Sequence, residues 1–287
     1  MAGLRIGTCS WKYPSWQGIV YSKVEGINYL KEYAQHFNTV EVDQWFWSLF
    51  GKDNIRLPHA SDVEDYRKSV PDDFKFTVKV PNSITLTHFH TQTKKEPLVA
   101  NPAFLSVPLF KKFLSLLAPI KDVLGPVMFQ FEYLNKKKMG SQEGFQELFE
   151  AFVKQLPDSI QYGVEIRNGN YLNASYFEFL NRNKLVPVLL EGYWMPSVVE
   201  ICEKWKANIL ETETLVIRLH GHDRQEIEKT PEEKWDKIVA PKEEALKEIV
   251  VLLKTLVKRG KLVYVNANNH YEGSAPLTIE NIKRLMR

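Results

Sequence analysis

Short apolar strands alternate strictly with amphipathic helical segments along this chain, and few folds accommodate such a pattern. Eight segments rich in β-branched or aromatic residues predict strands. They are Leu4–Thr8, Thr39–Val42, Phe74–Val80, Pro126–Phe131, Tyr162–Arg167, Pro187–Leu190, Leu215–His220 and Leu262–Asn266. Eight β/α units within 287 residues predict a TIM-type (β/α)₈ barrel of the α/β class. A doubly wound open sheet is the alternative, although it rarely needs eight strands in strict alternation.

The chain contains no fixed-period repeat, low-complexity tract or Gly/Ser-rich linker, and this predicts a single domain over residues 1–287. Apolar residues make up 44% and charged residues 25%, which excludes a disordered chain. Long loops are expected at about 9–26, 43–61 and 81–108. The spacing of Ser61 and Glu64 predicts a capping box at the start of the second helix.

Charge, hydropathy and cysteine content limit which binding partners and which cellular compartment we expect for this protein. The net charge of +3 is too balanced to identify a nucleic-acid binder, although it does not exclude one. No apolar run approaches the roughly 18 residues of a transmembrane helix, and residues 1–8 lack the features of a signal peptide. Cys9 and Cys202 form no CxxC motif, which argues against a disulfide framework and a cysteine zinc site. We therefore expect a cytoplasmic protein that does not attach to a membrane.

The alternation of side chains along seven of the predicted strands separates an apolar face from a polar one. In a barrel the apolar face lies outward under the helices, and the inward face can become polar at the carboxyl ends of the strands. On the sixth strand this rule places Val188 and Leu190 outward and Leu189 and Glu191 inward. The predicted inward ring consists of Glu41, Asp43, Lys79, Gln130, Glu165, Arg167, Glu191, Arg218, His220, Asn266, Asn268 and Asn269. A buried ion-pair network that closes the barrel is the structural alternative.

Four residues of this ring are predicted to carry out chemistry, namely Glu41, Lys79, Glu165 and His220. The two glutamates could act as general acid and base across the barrel, as in glycoside hydrolysis. His220 is the expected proton-transfer group because an unperturbed imidazole has a pKa of about 6.5. A hydrogen-bonded core histidine is the alternative. The ring favours a hydrolase or lyase that acts on a small polar, sugar-like or phosphorylated substrate.

The loops after the seventh and eighth strands predict an anion pocket, because such loops and the helix start that follows them often bind phosphate in barrels. Gly221 and Arg224 lie in the first loop, and Gly273 and Ser274 precede a helix with Pro276 just inside it. An ordinary Asn-rich turn with a helix cap is the alternative. The predicted substrate-binding residues are Trp11, Asp43, Gln130, Arg167, Arg218, Gly221, Arg224, Asn268, Asn269, His270, Gly273 and Ser274.

The sequence predicts no cofactor, since it has neither a GxGxxG nor a P-loop signature. A divalent metal held by ring carboxylates and His220 is a less favoured alternative, and no metal ligands are assigned. His88 and His90 fall in the loop at 81–108 and are interpreted as part of a solvated polar loop. A nucleic-acid binding or processing protein and a non-catalytic ligand-binding module remain alternative functions.

Aromatic residues crowd the loops that follow the first two predicted strands. The first loop holds Trp11, Tyr13, Trp16 and Tyr21, and the second holds Trp45, Phe46 and Trp47. A hydrophobic plug under long loops is the commoner arrangement. The alternative is a surface on which sugar rings or unstacked bases stack.

Seven short runs of the chain resemble, in order, the YecE-like family, which is also called domain of unknown function family seventy-two. The runs are Ile6–Pro14, His36–Val42, Phe74–Pro81, Leu124–Gln130, Val164–Arg167, Arg218–Gly221 and Asn268–Gly273. The resemblance implies a TIM-type barrel and no particular activity. Two positions depart from the family pattern. This chain has Asp43 where the family usually has Asn, and it has Asn168-Gly169 where the family has His-Pro. The first adds a carboxylate, and the second removes a candidate acid or base.

Overall fold

The computed structural model describes residues 3–52, 54–91, 93, 96–221 and 234–287. Its eight strands run parallel in one sheet with the order β1-β8-β7-β6-β5-β4-β3-β2. They are β1 (Leu4–Thr8), β2 (Thr39–Val42), β3 (Lys75–Lys79), β4 (Leu124–Gln130), β5 (Tyr162–Glu165), β6 (Val186–Gly192), β7 (Thr214–Gly221) and β8 (Leu262–Ala267). The predicted TIM-type (β/α)₈ barrel is confirmed.

Within the residues that the structure describes, ten α-helices lie between or after the strands. They are α1 (Tyr29–Tyr33), α2 (Ala60–Ser69), α3 (Asn82–Thr85), α4 (Val107–Leu116), α5 (Gln142–Val153), α6 (Ala174–Arg182), α7 (Val198–Lys204), α8 (Lys206–Glu211), α9 (Glu243–Lys258) and α10 (Ala275–Met286). Helix α2 begins at Ala60, with His59 as N-cap and no capping bond from its side chain. The predicted capping box is therefore wrong, because Ser61 lies inside the first turn.

Two apolar cores hold the barrel together. The larger one packs the helices on the outer face of the sheet, and the rings of Phe129 and Phe149 meet edge to face within it at 5.2 Å between centroids. The smaller one fills the barrel interior below the polar ring with Met128, Val186, Val188, Val216 and Tyr264. Parallel strands buried on both faces in this way have long apolar runs, as β6 does.

The predicted orientation of β6 is wrong. Val188 belongs to the interior core, and Leu189 packs in the outer one. Glu191 also points away from the ring, since its carboxylate accepts a 2.8 Å hydrogen bond from the Val198 N–H at the start of α7. The strand is apolar on both faces up to Leu190, so its alternation carried no information about which face is inward.

The seam between β1 and β2 is closed largely by side chains rather than by a backbone ladder. The Tyr33 hydroxyl accepts a 2.8 Å hydrogen bond from the Thr8 N–H and donates one of 3.0 Å to the Thr39 carbonyl. The Asn38 amide accepts from the Ile6 N–H at 2.8 Å and donates to the Leu4 carbonyl. A Cβ on Gly7 would overlap the Thr39 carbonyl oxygen, which explains the glycine at this position.

No helix among the described residues is long and apolar enough to cross a membrane.

Candidate active site

A buried guanidinium joins two carboxylates at the carboxyl ends of the strands. Arg218 on β7 donates from Nε to Glu41 Oε2 and from Nη2 to Glu41 Oε1, both at 2.7 Å. Its Nη1 donates to Glu165 Oε2 on β5 and, at 3.2 Å, to Gln130 Oε1 on β4. The structure therefore brings four of the predicted ring residues into one hydrogen-bonded network inside the barrel. All four are buried.

Within this network, Glu165 and Arg218 favour each other's ionised forms. Burial alone would raise the pKa of the Glu165 carboxyl, but the charges of Arg218 and Arg167 lower it below its usual value. Burial alone would lower the pKa of Arg218, but Glu165 and Glu41 raise it. Both glutamates accept hydrogen bonds from the same cation, so a proton added to either would compete with Arg218. The geometry thus favours a rigid ionised support over an acid and base pair at these two residues.

The opposite side of the ring is tied to the same carboxylate. Asn266 on β8 donates from Nδ2 to Thr77 Oγ1 at 3.0 Å and to Glu41 Oε2 at 3.3 Å. Its Oδ1 is buried and accepts no hydrogen bond from the described residues. The support therefore extends from β2 through β3 to β8.

Cys9, Glu41 and His220 offer three ligand atoms within 4.8 Å of one another, which is a spacing that could hold a metal ion. The Sγ of Cys9 lies 3.7 Å from Nε2 of His220. However, both oxygens of Glu41 already accept hydrogen bonds from Arg218, and the guanidinium would repel a cation at this point. The donor set therefore fits a divalent metal poorly.

The Cys9 and His220 pair is held neutral. Burial, followed by the charge of Glu41, raises the pKa of the Cys9 thiol well above its usual value. Burial, followed by the charge of Arg218, lowers the pKa of the His220 imidazole well below its usual value. A neutral thiol beside a neutral imidazole is not an activated nucleophile. The predicted proton-transfer role of His220 near neutral pH receives no support from its surroundings.

Lys79 and Asp43 lie at the ends of β3 and β2, above this support. Lys79 is 8% exposed, and its Nζ lies 3.8 Å from the centre of the Phe46 ring. Burial, followed by the charge of Arg218, lowers the pKa of its amine. Burial, followed by the charge of Glu41, raises the pKa of the half-buried Asp43 carboxyl to about 6. Asp43 is therefore a ring residue that can gain and lose a proton close to neutral pH.

Arg167 follows β5 and reaches the barrel mouth. Its Nε donates to Glu165 Oε1 at 3.1 Å, and its guanidinium lies 5.0 Å from the centre of the Tyr193 ring. The side chain is 29% exposed. Its two Nη nitrogens donate no hydrogen bond to the described residues, so the outer end of the guanidinium is open to a ligand.

The predicted anion pocket receives little support from the loop after β8. The N–H of Gly273 donates to the Asn269 carbonyl at 2.7 Å, and the N–H of Ala275 donates to the Asn269 side chain at 2.9 Å. Two of the N–H donors at this helix start are thus engaged within the loop. Gly221 packs against the backbone of His270, and a Cβ there would lie 2.7 Å from its carbonyl oxygen. Arg224 lies outside the described residues, so this part of the prediction stays open.

Asn268 and His270, two further predicted residues of the loop after β8, contact each other. Asn268 accepts from the N–H of His270 at 2.9 Å and contacts its Nδ1 at 2.6 Å. The His270 ring also packs edge to face against Trp235 at 5.0 Å. The side-chain oxygen of Ser274 is buried and makes no hydrogen bond with the described residues. Ser274 precedes α10 as its N-cap, as predicted, without a capping bond from its side chain.

Most aromatic residues of the first two loops form the plug rather than a stacking surface. Trp11, Trp16, Tyr21, Trp45 and Phe46 are buried, and the hydroxyl of Tyr21 donates to the Trp11 carbonyl. Trp11 is therefore buried among the residues of this plug. Trp47 is the exception, with 63% exposure.

The exposed aromatic residues gather at the mouth. In the part of the chain that the structure describes, Trp47, Phe50, Tyr133 and Trp194 are the exposed aromatic side chains among the large hydrophobic residues. All four lie in loops that follow strands, namely β2, β4 and β6.

His88 and His90 lie in the loop after β3, where His88 contacts Thr87 Oγ1 at 2.9 Å and His90 is exposed.

Sequence reasoning missed the contributions of Cys9 and Phe46 to the site. Cys9 lies two residues after Gly7 and faces the barrel interior, which the alternation of β1 could have indicated. Phe46 belongs to an aromatic loop, and nothing in the sequence pairs it with Lys79. Contacts between two separate loops or strands of this kind have no local sequence signal.

Asn168 stands where the resemblance led us to expect a histidine, and it has a structural role. Its Oδ1 accepts from the Leu134 N–H at 2.8 Å, and its Nδ2 donates to the Leu134 carbonyl at 3.0 Å. The side chain therefore ties the loop after β4 to the end of β5. It contributes no acid or base to the mouth.

Comparison with known proteins agrees with this fold. Two solved structures share the barrel over 99% of this chain. One is a DUF72 family protein from Enterococcus faecalis V583, with a TM-score of 0.69 and 17% sequence identity, and 95% of that chain is covered. The other is a DUF72 family protein from Thermotoga maritima MSB8, with a TM-score of 0.67 and 21% sequence identity, and 98% of that chain is covered. The YecE protein of Escherichia coli K12, a UPF0759 protein, is 28% identical over 168 residues, which are 58% of this chain and 49% of that protein.

The aligned region spans about half the length of these curated relatives. The family model described as "Protein of unknown function DUF72" matches residues 5–287, which is nearly the whole sequence. That match contains every predicted site residue discussed above and, apart from Leu4 at the start of β1, all eight strands. The chain belongs to the DUF72 family.

Proposed function

We propose that the protein is an enzyme that binds a small, anionic, polar substrate at the barrel mouth and acts on it by general acid–base chemistry, as a hydrolase or lyase. The observation that carries this proposal is the outer end of Arg167, whose Nη nitrogens donate to none of the described residues. This guanidinium is held in place by Glu165 and Tyr193, and its Nη nitrogens have no acceptor among the described residues. A fixed fork of donors of this kind suits a carboxylate or phosphate.

Asp43 supplies the proton-transfer group in this proposal. Its pKa of about 6 leaves both protonation states populated near neutral pH. The carboxyl is half-buried at the end of β2, and it lies within electrostatic reach of Lys79 and Arg218. The Glu41, Arg218 and Glu165 network then acts as an ionised floor that positions Arg167 and Lys79, rather than as the reacting pair.

A thermal-shift panel of small carboxylates and phosphates tests the proposal. We expect at least one anion to raise the melting temperature of the wild-type protein and to have no effect on Arg167→Gln. The matched control is Arg182→Gln, which removes a 61% exposed arginine from α6. Equal shifts in wild type and Arg167→Gln, or no shift with any anion, would contradict the anion site.

Conversion of a stabilising anion tests the enzymatic part of the proposal separately. We expect turnover by the wild type and by Arg182→Gln, with loss of turnover in Asp43→Asn. If a ligand binds in an Arg167-dependent manner and no related compound is ever converted, the protein is a binding module and the catalytic proposal is wrong.

A further inference from the structure

Lys79 is a deeply placed amine that forms no ion pair with the residues that the structure describes. Its side chain is 8% exposed, and Nζ has no hydrogen-bond acceptor among the residues that the structure describes. Its close contact is the face of the Phe46 ring at 3.8 Å. Lysines at this depth are normally paired with a carboxylate, because an isolated buried ammonium is costly.

The two glutamates of the network cannot serve as that partner, and Asp43, whose charge also acts on the amine, forms no hydrogen bond or ion pair with Lys79 in the described part of the chain. Both oxygens of Glu41 accept hydrogen bonds from Arg218. Glu165 accepts from Arg218 at one oxygen and from Arg167 at the other. Guanidinium groups thus engage all four carboxylate oxygens of Glu41 and Glu165. Lys79 faces the mouth, and neither glutamate is available to bind its amine.

We propose that Lys79 is a nucleophile and that its Nζ forms an imine with the carbonyl carbon of the substrate. This inference deepens the proposed function and rests on it, since it names the substrate class: a small aldehyde or ketone that carries a carboxylate or phosphate. Arg167 would hold the anionic end, and the amine would meet the carbonyl end. An imine-forming lysine fits the lyase alternative better than the hydrolase.

The step balances without any co-reactant. The lone pair of the neutral amine forms a bond to the carbonyl carbon as the C=O π bond breaks, and a proton moves from the attached nitrogen to the carbonyl oxygen. In the resulting carbinolamine, the protonated form of Asp43 donates its proton to the hydroxyl, which leaves as one water molecule while the nitrogen lone pair forms the C=N bond. The products are a protonated imine, water and the Asp43 carboxylate. The protonated imine then withdraws electrons from the neighbouring carbon, which is what cleavage by a lyase requires.

The surroundings of Lys79 favour the neutral amine that this step needs. Burial lowers the pKa of the amine, and the positive charge of Arg218 lowers it further. A desolvated lysine next to another cation is a recurrent way to activate an amine. The Phe46 ring covers one side of Nζ and keeps water from that side.

Reduction with sodium borohydride traps the imine as a stable secondary amine, and pyruvate and glyoxylate, a ketone and an aldehyde that each carry a carboxylate, are the probes. The protein is treated with each probe and with borohydride, and the labelled peptides are identified by mass spectrometry. Lys75 provides an internal control, since it lies on the same strand and donates to the Asp122 carbonyl at 2.7 Å near the surface. We expect label at Lys79 and none above background at Lys75, because Lys75 lies at the other end of the strand, away from the barrel mouth.

Variants separate this proposal from the proposed function. Lys79→Arg keeps a cation at the site and is expected to lose the label, while Lys75→Arg keeps it. Inorganic phosphate is expected to protect Lys79 in the wild type, a readout that does not depend on how the variants fold. Label spread evenly over surface lysines overturns the imine. If Arg167-dependent anion binding persists without any trapping at Lys79, the imine is wrong and the proposed anion site stands.

Discussion

Arg218 holds Glu41 through two parallel hydrogen bonds of 2.7 Å across the barrel interior, and neither side chain reaches solvent. A fork of this kind fixes both planes at once. It joins β7 to β2, two strands that are not neighbours in the sheet. The pair therefore holds the carboxyl ends of the strands together from the inside.

Removing one charge from this pair should destabilise the fold. In Glu41→Gln the guanidinium keeps Glu165 and loses its bidentate partner, and breaking a buried pair costs about 3–5 kcal/mol. We expect the melting temperature to fall by roughly 10 °C. Glu64→Gln is the control, because it breaks an exposed ion pair with Lys68 on α2. Thermal melts of the wild type, Glu41→Gln and Glu64→Gln at pH 7 measure this difference. Equal melting temperatures would show that the network contributes little to stability.

Asp43→Asn should stabilise the protein, and only at higher pH. Because the folded-state pKa of about 6 lies above the usual value, the unfolded state ionises first as pH rises. Stability is therefore lost between about pH 4 and pH 6, and the loss is complete above that range. At pH 7.5 we expect the variant to gain on the order of 2 kcal/mol in the free energy of unfolding.

Urea titrations at pH 4 and pH 7.5 measure this effect. The gain should be absent at pH 4, where the carboxyl is protonated in the folded protein. Asp65→Asn removes an exposed carboxylate from α2 and serves as the control. A gain of equal size at both pH values would assign the effect to something other than ionisation of Asp43.

His220 should make the fold sensitive to mild acid. Its pKa in the folded protein lies well below the usual value because the ring is buried and faces Arg218. The unfolded state therefore takes up the proton first, and stability falls as pH drops below about 6.5. The loss approaches about 1.4 kcal/mol for each further pH unit until the folded protein also binds the proton.

His220→Gln should reduce this acid sensitivity. Free energies of unfolding at pH 7.5 and pH 5.5 give the comparison, with His59→Gln, an exposed residue before α2, as the control. We expect the wild type and the control to lose stability by similar amounts and His220→Gln to lose less. The same loss in all three proteins would mean that the ring does not resist protonation.

The Tyr33 hydroxyl should determine how firmly β1 is held to β2. In Tyr33→Phe the Thr8 N–H and the Thr39 carbonyl lose their shared partner, which costs about 1–3 kcal/mol for a buried polar group. We expect faster hydrogen exchange at Thr8, measured by mass spectrometry or NMR. Tyr29→Phe on the same helix removes a hydroxyl that binds the Val24 carbonyl away from the seam, and its exchange at Thr8 should match the wild type. Unchanged exchange in Tyr33→Phe would show that backbone contacts suffice.

The sequence predicted the barrel well because its signal is repeated eight times. The predicted strands Leu4–Thr8 and Thr39–Val42 match the structure, and the others differ by up to two residues at one or both ends. The orientation failed on β6, where both faces are apolar. Hydropathy separates the faces only where one of them is polar, as on β2 and β7.

The candidate site was predicted as a set of residues and not as an arrangement. Alternation placed Glu41, Glu165 and Arg218 on the inward face, yet it could not show that one guanidinium binds both carboxylates. That pairing depends on the radius and stagger of the barrel. It also decides which ionisable groups remain outside the network. Lys79 was already among the predicted catalytic residues, whereas the emphasis on Asp43 and Arg167 came only from the structure.

The seam that Tyr33 and Asn38 close has a consequence for the order of assembly. The backbone ladder of β1 is made with β8, and its other edge is bonded to side chains from residues 33 and 38. Because β1 precedes the other seven strands of the barrel in the sequence and β8 follows them, β1 must wait for residues 262–267 before its backbone ladder forms. Until β8 is synthesised, the side chains of Tyr33 and Asn38 are the groups that can cover an edge of β1 and hinder its pairing with a strand of another chain.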